Sequence, residues 1–434
     1  MSSFRSLTLI LLAGTAGSAM AGDAVPPPLT LAAAVEASQR EHPNADLALA
    51  RLTEAQAKLR QANAALLPRL SLGSSYTVTN QPAMAFMGLI NHGAYSPSIN
   101  ANEPPTIDNL NIGATIQVPL YTPGTWSGRV AAQHGAAAAR STQDAARNAL
   151  TLTTVQAFIS VHQAKAHVLA ATATLRASEV NLATARTRHQ TGNLSKADLL
   201  GLEAMQAGAR SQMAAANGGL DLAGQALAAA LGREGSIIAV DAMPEVPAPT
   251  AESMGERPEL MAARAQASAA EAGVDQARAQ HLPRLGAFGG YGYDRGFRQE
   301  GEGQSWHVGL GVEWTLFSGG GIEAGVAAAE ARRRSAQAEL RQATLQVRQG
   351  RTAARTRYAT ITEQLAAATA QHAAADEAER LQAERFTAGA ATASDLTAAE
   401  AVLAQARAAV ADAQAGLRMT IAELRWQFGL PILP

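Results

Sequence analysis

The chain has 434 residues, with 35 basic against 36 acidic side chains and no cysteine. Balanced charge offers no basic stripe for nucleic acid, and the missing thiols exclude a disulfide frame, thiolate chemistry and a lipid-anchored N-terminal cysteine. Aromatics make up only 4% of a chain rich in alanine, which points to long helices in close contact rather than one thick core.

Residues 1–21 read as a secretory signal. Arg5 supplies the charged start, Leu7 to Leu12 open a short apolar core, and Ala19-Met20-Ala21 is a small-x-small cleavage site before Gly22. No other stretch is long and apolar enough for a membrane-spanning helix. Helical spacing is expected over Leu31–Glu41 and Ala45–Leu66.

A strand follows at about 67–80, with Leu70, Leu72, Tyr76 and Val78 on one face. A long loop around Gln81–Asn109, expected at the surface, leads to a second strand at about 108–121. There Leu110, Ile112, Ala114, Ile116, Val118 and Leu120 alternate with polar or small residues. From about 125 the period becomes helical, with Val155, Phe158, Ile159, Leu169, Leu175 and Leu182 at three- and four-residue steps or their multiples. Some 65 residues without a break make a rod of roughly 100 Å, which needs neighbouring helices for support. A turn at Gly192 and a return helix about Ser195–Leu231 complete the unit.

The unit then recurs. Leu67-Pro68-Arg69-Leu70 matches Leu282-Pro283-Arg284-Leu285 at an offset of 215, and Gly113 matches Gly309 at 196. The difference, 215 − 196 = 19, is the extra length of the first copy between its strands. Residues 22–247 are thus read as one repeat and 248–434 as a second. In the second, helices are expected at about 257–281 and 321–428, and strands at about 283–296 and 305–317. Trp306 and Trp314 flank the apolar face of the last strand, as girdle aromatics flank the lipid-facing band of a membrane barrel. One chain supplies four strands, too few to close a barrel. An open edge in lipid leaves backbone groups unpaired, so closure calls for two or more chains.

Other patterns carry less. Gly319-Gly320-Gly321-Ile322-Glu323-Ala324 fits a dinucleotide fingerprint but is followed by a long helix rather than a second parallel strand, so no cofactor is expected. The nine histidines do not cluster, and no metal, nucleophile or other catalytic constellation is present. Arg188-x-x-x-Gly192 with Asp198-Leu199 recurs as Arg385-x-x-x-Gly389 with Asp395-Leu396. Locally these are helix–turn–helix tips, with Ser195 and either Thr392 or Ser394 as caps.

The order of elements, the two Leu-Pro-Arg-Leu boxes, Val118-Pro119-Leu120-Tyr121, Thr315-Leu316-Phe317-Ser318-Gly319-Gly320 and the paired tips resemble the TolC family of outer-membrane efflux and secretion channels. The resemblance spans about 29–430. It implies a mainly α protein with β: long antiparallel coiled-coil helices plus four strands per chain. Three copies would form a 12-stranded outer-membrane barrel continued by a periplasmic helical tunnel. The chain would be a non-enzymatic exit duct in contact with outer-membrane lipid. It would dock a periplasmic membrane-fusion adaptor and, through it, an inner-membrane RND-type or ABC-type transporter. Docking would fall to Arg188, Gly192, Leu194, Asp198, Leu199, Arg385, Gly389, Asp395 and Leu396, with Asp395 and Phe386 at the entrance constriction. Ala391, Ala398 and Phe386 stand where the best-known pattern has polar gate residues, which shifts the expected tip closure toward apolar contact. A type I protein-secretion channel and a periplasmic coiled-coil scaffold are the alternative readings.

Overall fold

The computed structural model describes residues 28–100, 102–249 and 255–433; the expected signal segment and its cleavage site lie outside them. The first copy runs α1 (Leu31–Glu41), α2 (Pro43–Ala64), β1 (Arg69–Thr79), α3 (Pro82–Asn91), β2 (Ile107–Tyr121), α4 (Pro123–Gln190) and α5 (Lys196–Ala230). The second runs α6 (Pro258–Arg278), a short 3-10 turn, β3 (Arg284–Gly296), β4 (Gly301–Glu313), α7 (Gly321–Thr387) and α8 (Ala393–Gln427).

Helix α4 has 68 residues and α7 has 67, so each is a rod of roughly 100 Å. Neither has a wide apolar stripe. Their support comes from lateral packing: α4 runs against α2, α5, α6 and α8, and α7 against α6 and α8. Many contact positions are alanine, including Ala185, Ala354, Ala406 and Ala415, which lets helix axes approach closely. Among the described residues no helix is long and apolar enough to cross a membrane.

The thickest core sits at the waist. Leu31 and Ala34 of α1 meet Val155, Phe158, Ile159 and Val161 of α4, Leu227 and Leu231 at the end of α5, and Ala415 and Ala422 of α8. A short parallel bridge pins the start of the described chain to this core: Leu29 N–H donates to Ala239 O at 2.9 Å, and Asp241 N–H donates to Leu29 O at 2.9 Å. The duplication reaches these contacts too. Gly232 ends α5 at φ 77° and abuts His42 and Pro43, while Gly429 follows α8 at φ 71° and abuts Gly255 and Glu256.

The four strands form one antiparallel sheet in the order β1-β2-β3-β4. Each hairpin pairs within its copy, and β2 joins β3 across copies, with Gly113 opposite Gly292. Within the chain β1 and β4 are the edges. Two expectations are corrected. The segment after β1 is not a plain surface loop: its apolar run from Ala83 to Ile90 folds as α3 and packs onto the sheet, with Ala85 and Leu89 fully buried. The last strand starts at Gly301 rather than about 305 and ends at Glu313 rather than about 317. Residues beyond 313 lack an in-chain partner, because β3 begins only at Arg284, opposite Glu313.

Phe158 is fully buried at the junction of the waist helices. Phe158→Ala is expected to lower stability by about 3–5 kcal/mol. Arg40→Ala, which breaks a solvent-exposed pair with Glu36, should cost under about 1 kcal/mol. Thermal unfolding of the detergent-solubilised protein by circular dichroism measures both.

Candidate functional site

Two places in the fold carry functional geometry: the sheet and the far tip of the helices. On the sheet, one face is apolar and open. Leu70 and Leu72 of β1 and Val308, Leu310 and Val312 of β4 are each more than two-thirds exposed. A soluble sheet would cover such a face, whereas lipid leaves it bare. Trp306 belongs to this face and pairs across strands with Tyr291. Above it the same face turns polar, where Tyr291 Oη donates to Gln304 at 2.8 Å and Tyr293 Oη to Glu302 at 2.7 Å. Trp306 therefore lies inside β4, at the boundary where its apolar face ends. Trp314 lies one residue past the strand, and its indole N–H donates to His281 O at 2.9 Å at the junction with the helices.

The opposite face of the sheet is mostly small or polar, with Gly113, Thr115, Gly290, Gly292, Ser305 and Gly309 among its residues; Phe288, whose ring lies over Gly309, and Ile107 are large apolar exceptions. Near one end Asn109 and Asn111 both donate to Asp294 Oδ1, at 2.7 and 2.8 Å.

At the tip the two copies repeat one device. Gly192 and Gly389 both adopt φ 79°, the left-handed conformation that ends α4 and α7. In each copy the arginine of the motif supports the turn five residues ahead. Asn193 N–H donates to Arg188 O and Ala390 N–H to Arg385 O, both at 2.8 Å. The guanidinium groups donate back, Arg188 to Asn193 O at 3.4 Å and Arg385 to Ala390 O at 3.3 Å. Ser195 caps α5 through Asp198 N–H at 3.0 Å. Thr392, not Ser394, caps α8: its Oγ accepts from Asp395 N–H at 3.1 Å, and Thr392 N–H donates to Asp395 Oδ2 at 3.0 Å.

Leu182, Ala185, Leu202, Phe386, Ala393 and Leu396 form the tip core, with Leu194, Leu199 and Ala391 packed against it. Leu396 is thus a core residue, while Leu194 and Leu199 are partly exposed. Within one chain Phe386 is packed into that core. It is 1% exposed, beneath the Arg188 guanidinium at 4.9 Å from its ring centre, and its carbonyl accepts from Arg188 Nη1 at 2.5 Å. Asp395 is exposed, and its carboxyl is held below the ordinary range by the Thr392 backbone N–H and hydroxyl, with Arg385 adding attraction. Within one chain it is first a helix-capping group.

Sequence reasoning missed a buried polar pair behind the tip. Glu400 of α8 is 4% exposed and accepts from the Asn181 side chain of α4, while its Oε2 has no hydrogen-bond partner. Burial pushes its carboxyl up to about 7; Asn181 offsets part of this and neighbouring Glu379 adds to it. These partners are 219 positions apart, so no local pattern announces them.

The family model for outer membrane efflux proteins matches residues 35–233 and 251–429, and the chain belongs to that family. It is therefore an outer-membrane protein of a channel family. Among solved structures it is similar to the outer membrane protein VceC of Vibrio cholerae, with a TM-score of 0.80 and 22% identity over 93% of this chain and 96% of that one. It is also similar to the CmeC outer membrane channel of Campylobacter jejuni, with a TM-score of 0.80 and 18% identity over 92% and 85% of the two chains. The open state of the Neisseria gonorrhoeae MtrE outer membrane channel gives a TM-score of 0.74 at 20% identity over 93% and 89%. No curated protein matches the sequence significantly.

Two predictions concern the tip. Gly192→Ala and Gly389→Ala each force a side chain into the left-handed region and should cost about 1–2 kcal/mol, read from the thermal midpoint. For Glu400, the folded pKa of about 7 lies above the ordinary value of 4.5. Between those values the folded chain binds a proton that the unfolded chain releases, so stability falls as pH rises through that window and stays lower above it. Glu400→Gln should abolish this slope and raise stability above pH 7 by up to about 3 kcal/mol. Melting curves from pH 4 to 8 would show it.

Proposed function

We propose that the chain is a passive outer-membrane exit duct for a tripartite efflux system, built from three copies. One observation carries this reading: a sheet with a bare apolar face and two open edges, joined to helices of about 100 Å. Three four-stranded sheets supply 12 strands, and edge-to-edge pairing satisfies every backbone group that lipid would leave unpaired. Trp306 and Trp314 mark the two boundaries of the lipid-facing band. The helices extend as a conduit on the periplasmic side. Their paired tips, around Gly192, Leu194, Asp198, Leu199, Gly389, Asp395 and Leu396, meet a membrane-fusion adaptor that couples to an inner-membrane RND-type pump. Arg188 and Arg385 hold those tips in shape from within. Three copies of Asp395 ring the entrance, and Phe386 stiffens it from behind. Transport energy comes from the pump.

The duplication also supplies the seam. If the contact of β4 with β1 of the next copy repeats the contact of β2 with β3, the pair Thr115–Gly290 maps through 115 + 196 and 290 − 215 onto Gly311 and Ser75. The mapping also gives residues 314–317, unpaired within one chain, a strand partner at the start of the neighbour's β1.

The chain has no cysteine, so paired cysteines test this cleanly. Ser75→Cys with Gly311→Cys should give an oxidised, reducible trimer on denaturing gels. Thr77→Cys with Gly311→Cys, displaced by two residues, should give far less. Equal cross-linking of both pairs would reject the register, and no cross-linking in any register would reject the closed barrel.

A further inference from the structure

We propose that α3 is a lid inside the outer mouth, and that three copies close it by bringing their apolar faces together on the threefold axis. The proposal rests on the barrel reading above. The faces of the sheet follow from strand alternation: Tyr291 and Trp306 are partners on the apolar outer face, and Asp294 and Gly303 are partners on the inner one. Helix α3 lies on the inner face. Its Gly88 packs on the Ile107 side chain, and Ile107 shares the face of Asn109 and Asn111.

At its C-terminal end the main chain of Asn91 and His92 rests on glycines. A side chain at Gly303 would collide with Asn91 O, and one at Gly301 would meet His92 O at 2.6 Å. His92 is 2% exposed, and its Nε2 shares a 2.9 Å hydrogen bond with Asn109 Oδ1. The helix is thus seated by shape and by a buried polar contact.

Its other face has no partner among the described residues. Ala85, Gly88 and Leu89 are spent on the sheet side, which leaves Met87 and Ile90 on the opposite side, both about half exposed. The size of the mouth supplies their partner. Twelve strands about 4.8 Å apart and tilted by about 40° enclose a backbone radius of roughly 12 Å. A helix with its side chains is about 10–12 Å across, so three lining that mouth meet at its axis. The occupants of each Met87–Ile90 face are therefore the same faces of the two neighbouring copies. Such an apolar contact, without ion pairs, bars bulky solutes from outside yet yields when cargo presses from within. The second copy has only residues 297–300 between its strands, so each chain contributes one lid, and the 19 extra residues of the first copy acquire a role.

Thiol labelling on intact cells tests this. Thr115→Cys places a thiol on the inner face below the lid. A small charged thiosulfonate should label it, and a bulky polyethylene-glycol maleimide should not. Adding Gly303→Val, which unseats α3, or Met87→Asp with Ile90→Asp, which leaves the seat but sets charges against one another on the axis, should restore bulky labelling. Bulky labelling with α3 intact, or continued protection after both changes and after excision of α3, would overturn the lid. Ile116→Cys faces lipid and should resist both reagents. If it labels as readily as Thr115→Cys, the barrel reading fails and takes the lid with it, whereas a protected Ile116→Cys beside a Thr115→Cys freely labelled by the bulky maleimide rejects the lid alone.

Discussion

The structure depends on one constraint: a strand edge in lipid has no water to satisfy its N–H and C=O groups. Four strands with a bare apolar face cannot rest at such an edge, so the sheet is a fraction of a closed object. Closure then sets the rest of the geometry. Each chain sends two strand hairpins into the wall and two long helical hairpins out of it, and the copies must share both. The helices follow from the same economy. A rod of 68 residues with many alanines has little core of its own and is stable only where neighbours line up beside it.

The duplication converts this constraint into specific contacts. The same glycine turn, the same arginine-to-carbonyl support and the same hydroxyl cap on the aspartate N–H appear at Arg188–Asp198 and Arg385–Asp395. Function enters where the copies differ. Only the first has α3, and only the second has a complete reciprocal box at the tip, with Asp395 accepting from the Thr392 N–H. At the tip Phe386 and Leu396 provide apolar cohesion, and the polar groups serve mainly to shape turns. Behind it Glu400 is an exception: a carboxyl kept dry between α4 and α8, whose charge state responds to pH near neutrality.

Much of this was legible in the sequence because it rests on local periodicity. The eleven-residue alternation of Leu110–Leu120 and the unbroken helical spacing after Trp126 each follow from residues close along the chain. The glycines of the tips were legible for the same reason, since a left-handed turn has few alternatives. What escaped depends on contacts between distant residues. Met84 to Ile90 offered too short an apolar run to separate a loop from a helix, and its seat is built from Gly301 and Gly303, over two hundred positions away. The end of β4 at Glu313 was invisible because residues 314–316 continue the pattern of alternation but have no partner among the described residues of one chain. The burial of Phe386 beneath Arg188 escaped as well, because its spacing from Gly389 says nothing of which side faces Arg188.

The central claim is that the open edges are closed by identical copies. Native mass spectrometry of the mature protein, extracted from outer membranes and stripped of detergent in the gas phase, tests it most directly. The account predicts a complex of three chains that resists dilution. A stable monomer or dimer in that preparation would contradict it, because neither one nor two four-stranded sheets makes the 12-stranded wall on which the mouth, the seam and the shared helical conduit depend.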